Sequence, residues 1–128
     1  MSKNILVVDD SYYMRTILRN VLEDAGYNVI DEAASGQDAI KSVDKSRYEL
    51  DLVTLDLILP DNSGLDVLKS IKERYPEKAV VVVSAVGQTT IIDQAMEIGA
   101  NAYITKPFEE AKVLEVIEEV LSKSGVNE

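Results

Sequence analysis

Cysteine and histidine are both missing from the 128 residues. Without cysteine there is no disulfide, no thiolate nucleophile and no cysteine-bound metal, a composition that suits the cytosol. Without histidine there is no Ser-His triad, no imidazole general base, no common zinc site and no phosphohistidine on this chain. Long apolar runs are missing too. The first, residues 5–8, is four residues long and meets two aspartates. A signal peptide needs a longer apolar stretch, and a membrane span needs about 20 residues. No targeting segment, repeat, linker or low-complexity stretch is visible, so a cytoplasmic protein without a membrane partner is expected. Positive charge is scarce: 13 basic residues face 23 acidic ones, a formal net charge of -10. Such a chain is repelled by nucleic acid and by anionic membranes. Its partners are expected to be basic or apolar protein surfaces, or a cation.

What is left for chemistry is carboxylates, hydroxyls, lysine and a hard metal ion. The length suits one domain. Residues 1–122 read as that domain and 123–128 as a flexible tail.

Short apolar runs alternate with helical periodicity. Residues 5–8 form a continuous apolar strand, followed by Met14, Ile17, Leu18, Val21, Leu22 and Ala25 at helical spacing and a stop at Gly26. Residues 28–33 read as a weaker strand. Ser35 with Asp38 and Ser63 with Asp66 read as capping boxes opening two helices, the second stopping before Pro76. Strands are expected at 52–55, 79–83 and 102–104, a helix over 88–98 closed by Gly99, and a last helical face on Val113, Leu114, Ile117, Val120 and Leu121. These make five βα units. Strands apolar throughout belong in a parallel sheet covered by helices on both faces, and right-handed crossovers make it doubly wound. The fold class is therefore α/β.

Such sheets bind ligands beyond the carboxyl ends of their strands. Asp9 and Asp10 follow the first strand and Asp56 the third; Ser84 ends the fourth, and Thr105 and Lys106 follow the fifth. A strand order of 2-1-3-4-5 would make strands 1 and 3 neighbours and bring the three carboxylates together. Convergent carboxylates repel unless a cation sits among them, and oxygen ligands suit Mg²⁺. With Lys106 as a point charge and Ser84 as a hydroxyl donor, they would cradle a transferring phosphoryl group, with Asp56 as nucleophile. Each residue alone has a plainer reading: helix-capping aspartates, a turn aspartate, a solvated Lys-Pro turn. All of them falling on one edge of the sheet favours the site.

Four stretches carry a family likeness: Val8-Asp9-Asp10-Ser11; Thr54-Leu55-Asp56 through Pro60 and Gly64; Val83-Ser84-Ala85; and Ala102 through Phe108. In these the chain resembles the receiver domains of two-component response regulators, and among them the stand-alone chemotaxis regulators. The resemblance implies a flavodoxin-like sheet of five strands in order 2-1-3-4-5 with five helices. It implies Asp56 as phosphoacceptor, Asp9, Asp10 and the Ile58 backbone carbonyl as further Mg²⁺ ligands, Lys106 as the lysine that pairs with the phosphoryl group, and a cis Lys106-Pro107 bond. It implies a switch, not a turnover enzyme, with Ser84 as the switch hydroxyl and Tyr103 as an aromatic that turns inward with it. A tyrosine at this place could equally be half-buried packing with its hydroxyl in water.

The implied partners are a histidine kinase as phosphodonor and a motor-switch or adaptor protein as target. Two alternatives stay open: a free-standing relay to a histidine phosphotransfer protein, and a Mg²⁺-dependent phosphohydrolase. The second usually carries an acid two residues after its nucleophile, where Ile58 stands here. A nucleotide or flavin binder is disfavoured, since no glycine-rich loop follows the first strand. Ile58 and Val86 are apolar where the family often has polar side chains that orient water. This implies slow self-dephosphorylation or a separate phosphatase. Finally, Ile91, Ala95 and Ile98 form one stripe of the fourth helix and Ile92 with Met96 another. Either the helix is broadly buried, or Ile92 joins Tyr103 and part of the last helix, with its many glutamates, in a partner surface.

Overall fold

The computed structural model describes residues 2–124. In chain order its elements are β1 (Asn4–Val8), α1 (Tyr12–Asp24), β2 (Asn28–Ala33), α2 (Gly36–Lys45), β3 (Leu52–Leu55), α3 (Gly64–Arg74), β4 (Ala79–Ser84), α4 (Thr89–Ile98), β5 (Ala102–Thr105) and α5 (Glu110–Ser124). The strands form one sheet in the order β2-β1-β3-β4-β5, every pair parallel. The expected doubly wound α/β sheet is present.

The strand sequences explain the layering. Alternate residues of a strand face opposite sides. Ile5, Val7, Leu52, Val81 and Val83 pack with Leu18 and Leu22 of α1 and Val113 and Ile117 of α5. Leu6, Val8, Val53, Leu55, Val80 and Val82 pack with Ala39 and Val43 of α2, Val67, Leu68 and Ile71 of α3, and Ala95 of α4. A central strand with both faces covered has no solvent side, so β4 is apolar up to Ser84 and buried along its whole length. The weaker β2 lies at an edge, and its register with β1 shifts where Ile5 pairs Val29 and Leu6 pairs Asp31, leaving Ile30 exposed.

Strand and helix bounds fall within a residue or so of the sequence reading, and the helix ends add detail to it. The first helix begins at Tyr12, because the Ser11 hydroxyl accepts from the Met14 N–H at 3.2 Å. At α3 the Ser63 hydroxyl accepts from Leu65 N–H, one residue earlier than a capping box requires, and the Asp66 N–H bonds the Ser63 carbonyl instead. The last helix continues through Ser124, so the first residues assigned to a tail are helical; residues 125–128 of that tail lie outside the described residues. Among the described residues no helix is long and apolar enough to cross a membrane.

Candidate functional site

Asp9 and Asp56 each stand one residue past a strand. Val8 and Leu55 pair across β1 and β3, and the Asp56 N–H continues the ladder to the Val8 carbonyl at 3.0 Å. The two carboxylates therefore leave the sheet side by side, and both are buried. Asp10, the next residue along the chain, is exposed. One carboxylate oxygen from each of Asp9, Asp10 and Asp56 lies within 4.8 Å of the others. On the other flank Ser84 pairs with Thr105, and the Lys106 N–H bonds the Ser84 carbonyl at 2.8 Å. The Lys106-Pro107 peptide is cis.

The side chains of this edge are already joined. Lys106 Nζ donates to Asp9 Oδ2 at 2.6 Å and to Asp56 Oδ2 at 3.0 Å. Ser84 Oγ donates to Asp56 Oδ1 at 3.0 Å, and the Ile58 N–H donates to the same oxygen at 3.1 Å. Asp9 Oδ1 accepts from the Ser11 N–H at 2.9 Å. The two oxygens of Asp56 are thus unlike: Oδ2 faces an ammonium, Oδ1 two neutral donors. Burial pushes the Asp9 carboxyl above its ordinary value, against the hydrogen bonds from Lys106 and Ser11, and the Asp56 charge adds to the rise. Burial alone would lower Lys106, but its bonds to Asp9 and Asp56 outweigh it and hold the amine firmly protonated.

The donor set suits a hard divalent ion. It is oxygen throughout, it holds more negative charge than Lys106 offsets, and exposed Asp10 leaves a side on which an ion can retain water. Ile58 reaches the site through its N–H, while its side chain is exposed at 57% and puts an apolar group on the rim. Val86, half-buried, flanks the other side, and its N–H donates to Ser84 Oγ at 3.3 Å.

Tyr103 is half-buried, and its hydroxyl donates to the Val86 carbonyl. The hydroxyl is held by the β4–α4 loop, which differs from the plain packing reading that left it in water. Burial raises its phenol above the ordinary range. Helix α4 is not broadly buried: Ala95 alone is fully enclosed, Ile92 is half-buried and Met96 is 43% exposed.

Two residues at the site were not picked out from sequence. Arg15 donates to the Asp9 carbonyl at 2.8 Å while its Nε bonds Glu32. Asp61, in the loop after Asp56, accepts from the N–H groups of Gly36 and Gln37 at the start of α2, at 2.8 and 2.9 Å. Neither has a local signal, since the Glu32 that orients Arg15 and the α2 amides that hold Asp61 lie 17 to 25 residues away along the chain.

Known proteins resemble this chain over most of its length. The chemotaxis protein CheY of Thermotoga maritima is 35% identical over 120 residues, covering 94% of this chain and 98% of that one. Sporulation initiation phosphotransferase F of Bacillus subtilis is 33% identical over 121 residues, covering 94% and 95%. Among solved structures, a chain of the CheX-CheY-BeF3-Mg²⁺ complex from Borrelia burgdorferi superposes with a TM-score of 0.90 at 33% identity, covering 92% of this chain and 88% of that one. The response regulator receiver domain family matches residues 5–118, a span that holds every strand-end residue described above, and the chain belongs to that family.

Proposed function

We propose that this chain is a phospho-accepting switch in which Asp56 takes a phosphoryl group from the phosphohistidine of a kinase. The supporting observation is the set of bonds on Asp56: one oxygen on Lys106, the other on Ser84 and the Ile58 N–H. An Asp56 carboxylate oxygen attacks phosphorus; the new O–P bond forms as the N–P bond to the donor imidazole breaks, and the electron pair leaves with the imidazole. No general base is needed, because the carboxylate is already the anion that attacks. Mg²⁺, held by Asp9, Asp10, Asp56 and the Ile58 carbonyl, would neutralise charge on the phosphoryl oxygens. Lys106 turns from the carboxylates to the same oxygens.

The switch follows from the same bonds. Ser84 Oγ links Asp56 to the Val86 N–H, and Tyr103 holds the carbonyl of that same residue. Drawing Ser84 to a phosphoryl oxygen pulls on the β4–α4 loop and on the bond that positions Tyr103. Tyr103 borders an open groove with Thr105, Pro107, Phe108 and Lys112, and half-buried Ile92 stands on α4. This α4–β5–α5 face is the target surface in our reading, and a motor-switch or adaptor protein in chemotaxis is the target, in keeping with the name of the Thermotoga relative. The name of the Bacillus phosphotransferase supports a second reading, a relay to a histidine phosphotransfer protein. Pull-down with the phosphorylated chain separates the two by what it recovers. A cytoplasmic location fits either.

Intact mass after incubation with acetyl phosphate and MgCl₂ tests the chemistry. One phosphate is expected on the wild type and none on Asp56→Asn. An unmodified wild type, or an equally modified variant, would overturn it.

A further inference from the structure

The loop between β3 and α3 carries the peptide that touches Asp56, and its base and its tip are held by different means. At the base the Gly64 N–H bonds the Leu57 carbonyl at 2.9 Å, and Ile58 bridges Ser63. The backbones are so close that a Cβ on Gly64 would lie 2.2 Å from the Leu57 Cα. At the tip, Asp61 reaches a different element. Its Oδ1 accepts from the Gly36 N–H and its Oδ2 from the Gln37 N–H, the first two free donors of α2. Asn62 packs against the same turn, since a Cβ on Gly36 would meet its Cβ at 3.1 Å. The remaining donor of that turn has its own partner, for Ser35 Oγ accepts from Asp38 N–H at 3.1 Å.

A forked carboxylate on two amides at a helix start is a charge-assisted pair, stronger than a neutral cap. Ser35 serves one N–H of the turn and Asp61 two others, but only Asp61 comes from outside α2. What it adds is a tie between α2 and the loop that bears Ile58, whose N–H sits on Asp56 Oδ1.

We propose that Asp61 is a positioning residue of the phosphoacceptor site: by clamping the β3–α3 loop to the first turn of α2, it sets the Ile58 peptide against Asp56. This rests on the reading of Asp56 as phosphoacceptor only for its consequence, not for its geometry. The N–H of Ile58 orders the Asp56 carboxylate, and the carbonyl of Ile58 is the backbone oxygen offered to Mg²⁺. Releasing the tip loosens both groups at once while the sheet and the three carboxylates stay in place.

The test uses the ¹⁵N-labelled full chain as wild type, Asp61→Ala, Asp61→Asn and Ser35→Ala. Two quantities are read: amide hydrogen exchange at Ile58 without metal, and Mg²⁺ affinity by titration of amide shifts. Asp61→Ala is expected to speed Ile58 exchange by roughly tenfold and to weaken Mg²⁺ by a few-fold. Asp61→Asn, which keeps one acceptor oxygen, is expected to fall between it and wild type, and it carries the test if the alanine variant does not fold. Ser35→Ala removes the other cap of the same helix and is expected to leave both readouts at wild-type values. Wild-type exchange at Ile58 in both Asp61 variants would overturn the proposal, as would an equal effect of Ser35→Ala, which would make Asp61 a helix cap and nothing more. A wild type that binds no Mg²⁺ counts against the phosphoacceptor reading, while Ile58 exchange still decides the clamp.

Discussion

The chemistry of single residues sets how long a phosphoryl group would last at this site. Hydrolysis needs a water placed in line with the O–P bond, and a polar side chain on the rim can hold one. Here the two side chains on the rim are Ile58, exposed, and Val86, half-buried. Neither can accept or donate a hydrogen bond, so the phosphorylated chain is expected to persist well beyond minutes when alone. Ile58→Asn is expected to speed its decay by roughly tenfold, by orienting water. Decay followed by intact mass checks both; loss of the wild-type phosphate within minutes would contradict the argument. Ile58 and Val86 could be read from sequence because they lie two residues from Asp56 and Ser84. Thr54 was harder to read. It lies on the core face of β3 beside the valines of its neighbours, and among the described residues its hydroxyl meets no hydrogen-bond partner. Only packing shows that.

Elements are tied together by charges the sequence leaves unpaired. Glu32 of β2 accepts from Arg15 Nε at 3.0 Å and from Arg19 Nε of the same helix, so α1 is fastened to the edge strand by a fork of two guanidiniums. Arg15 also reaches the Asp9 carbonyl, which places this fork directly behind the acidic site. Partial burial pushes the Glu32 carboxyl up, but the bonds and charges of Arg19 and Arg15 outweigh it and hold it below its ordinary value. A carboxyl whose pKa falls on folding stabilises the fold above its unfolded value, and that gain is lost as pH drops through the folded value. Glu32→Gln is therefore expected to cost about 1 kcal/mol at neutral pH, a partly shielded pair being worth little more. The gap between variant and wild type should close as pH falls below about 4. Urea unfolding across that range measures it, and a gap that persists at low pH would assign the effect to packing. The elements themselves were legible. Apolar strands and helical stripes announce themselves locally, whereas the Arg15–Glu32 and Asp61–Gly36 contacts join residues that only crossovers bring together.

At the scale of the whole molecule the dominant fact is charge. The chain carries a net charge of -10, and part of it is concentrated where Asp9, Asp10 and Asp56 converge. A divalent ion bound there in the folded state alone stabilises the fold by mass action. At free Mg²⁺ tenfold above its dissociation constant the gain is about 1.4 kcal/mol. MgCl₂ is expected to raise the melting temperature more than NaCl of equal ionic strength, and Asp10→Asn, which removes the exposed carboxylate of the group, should shrink the difference. Equal effects of the two salts would mean screening of the acidic surface and no bound ion.

From its sequence alone this chain determined its secondary structure, its α/β class and the residue types at the strand ends. Those depend on side-chain periodicity and on local backbone preference, which act over a few residues. Tertiary structure decided what each strand-end residue touches: that Lys106 spans two aspartates, that Tyr103 holds the Val86 carbonyl, that Asp61 reaches α2. Such bonds form between groups distant along the chain, and their lengths follow from sheet register and helix packing, which no local pattern specifies.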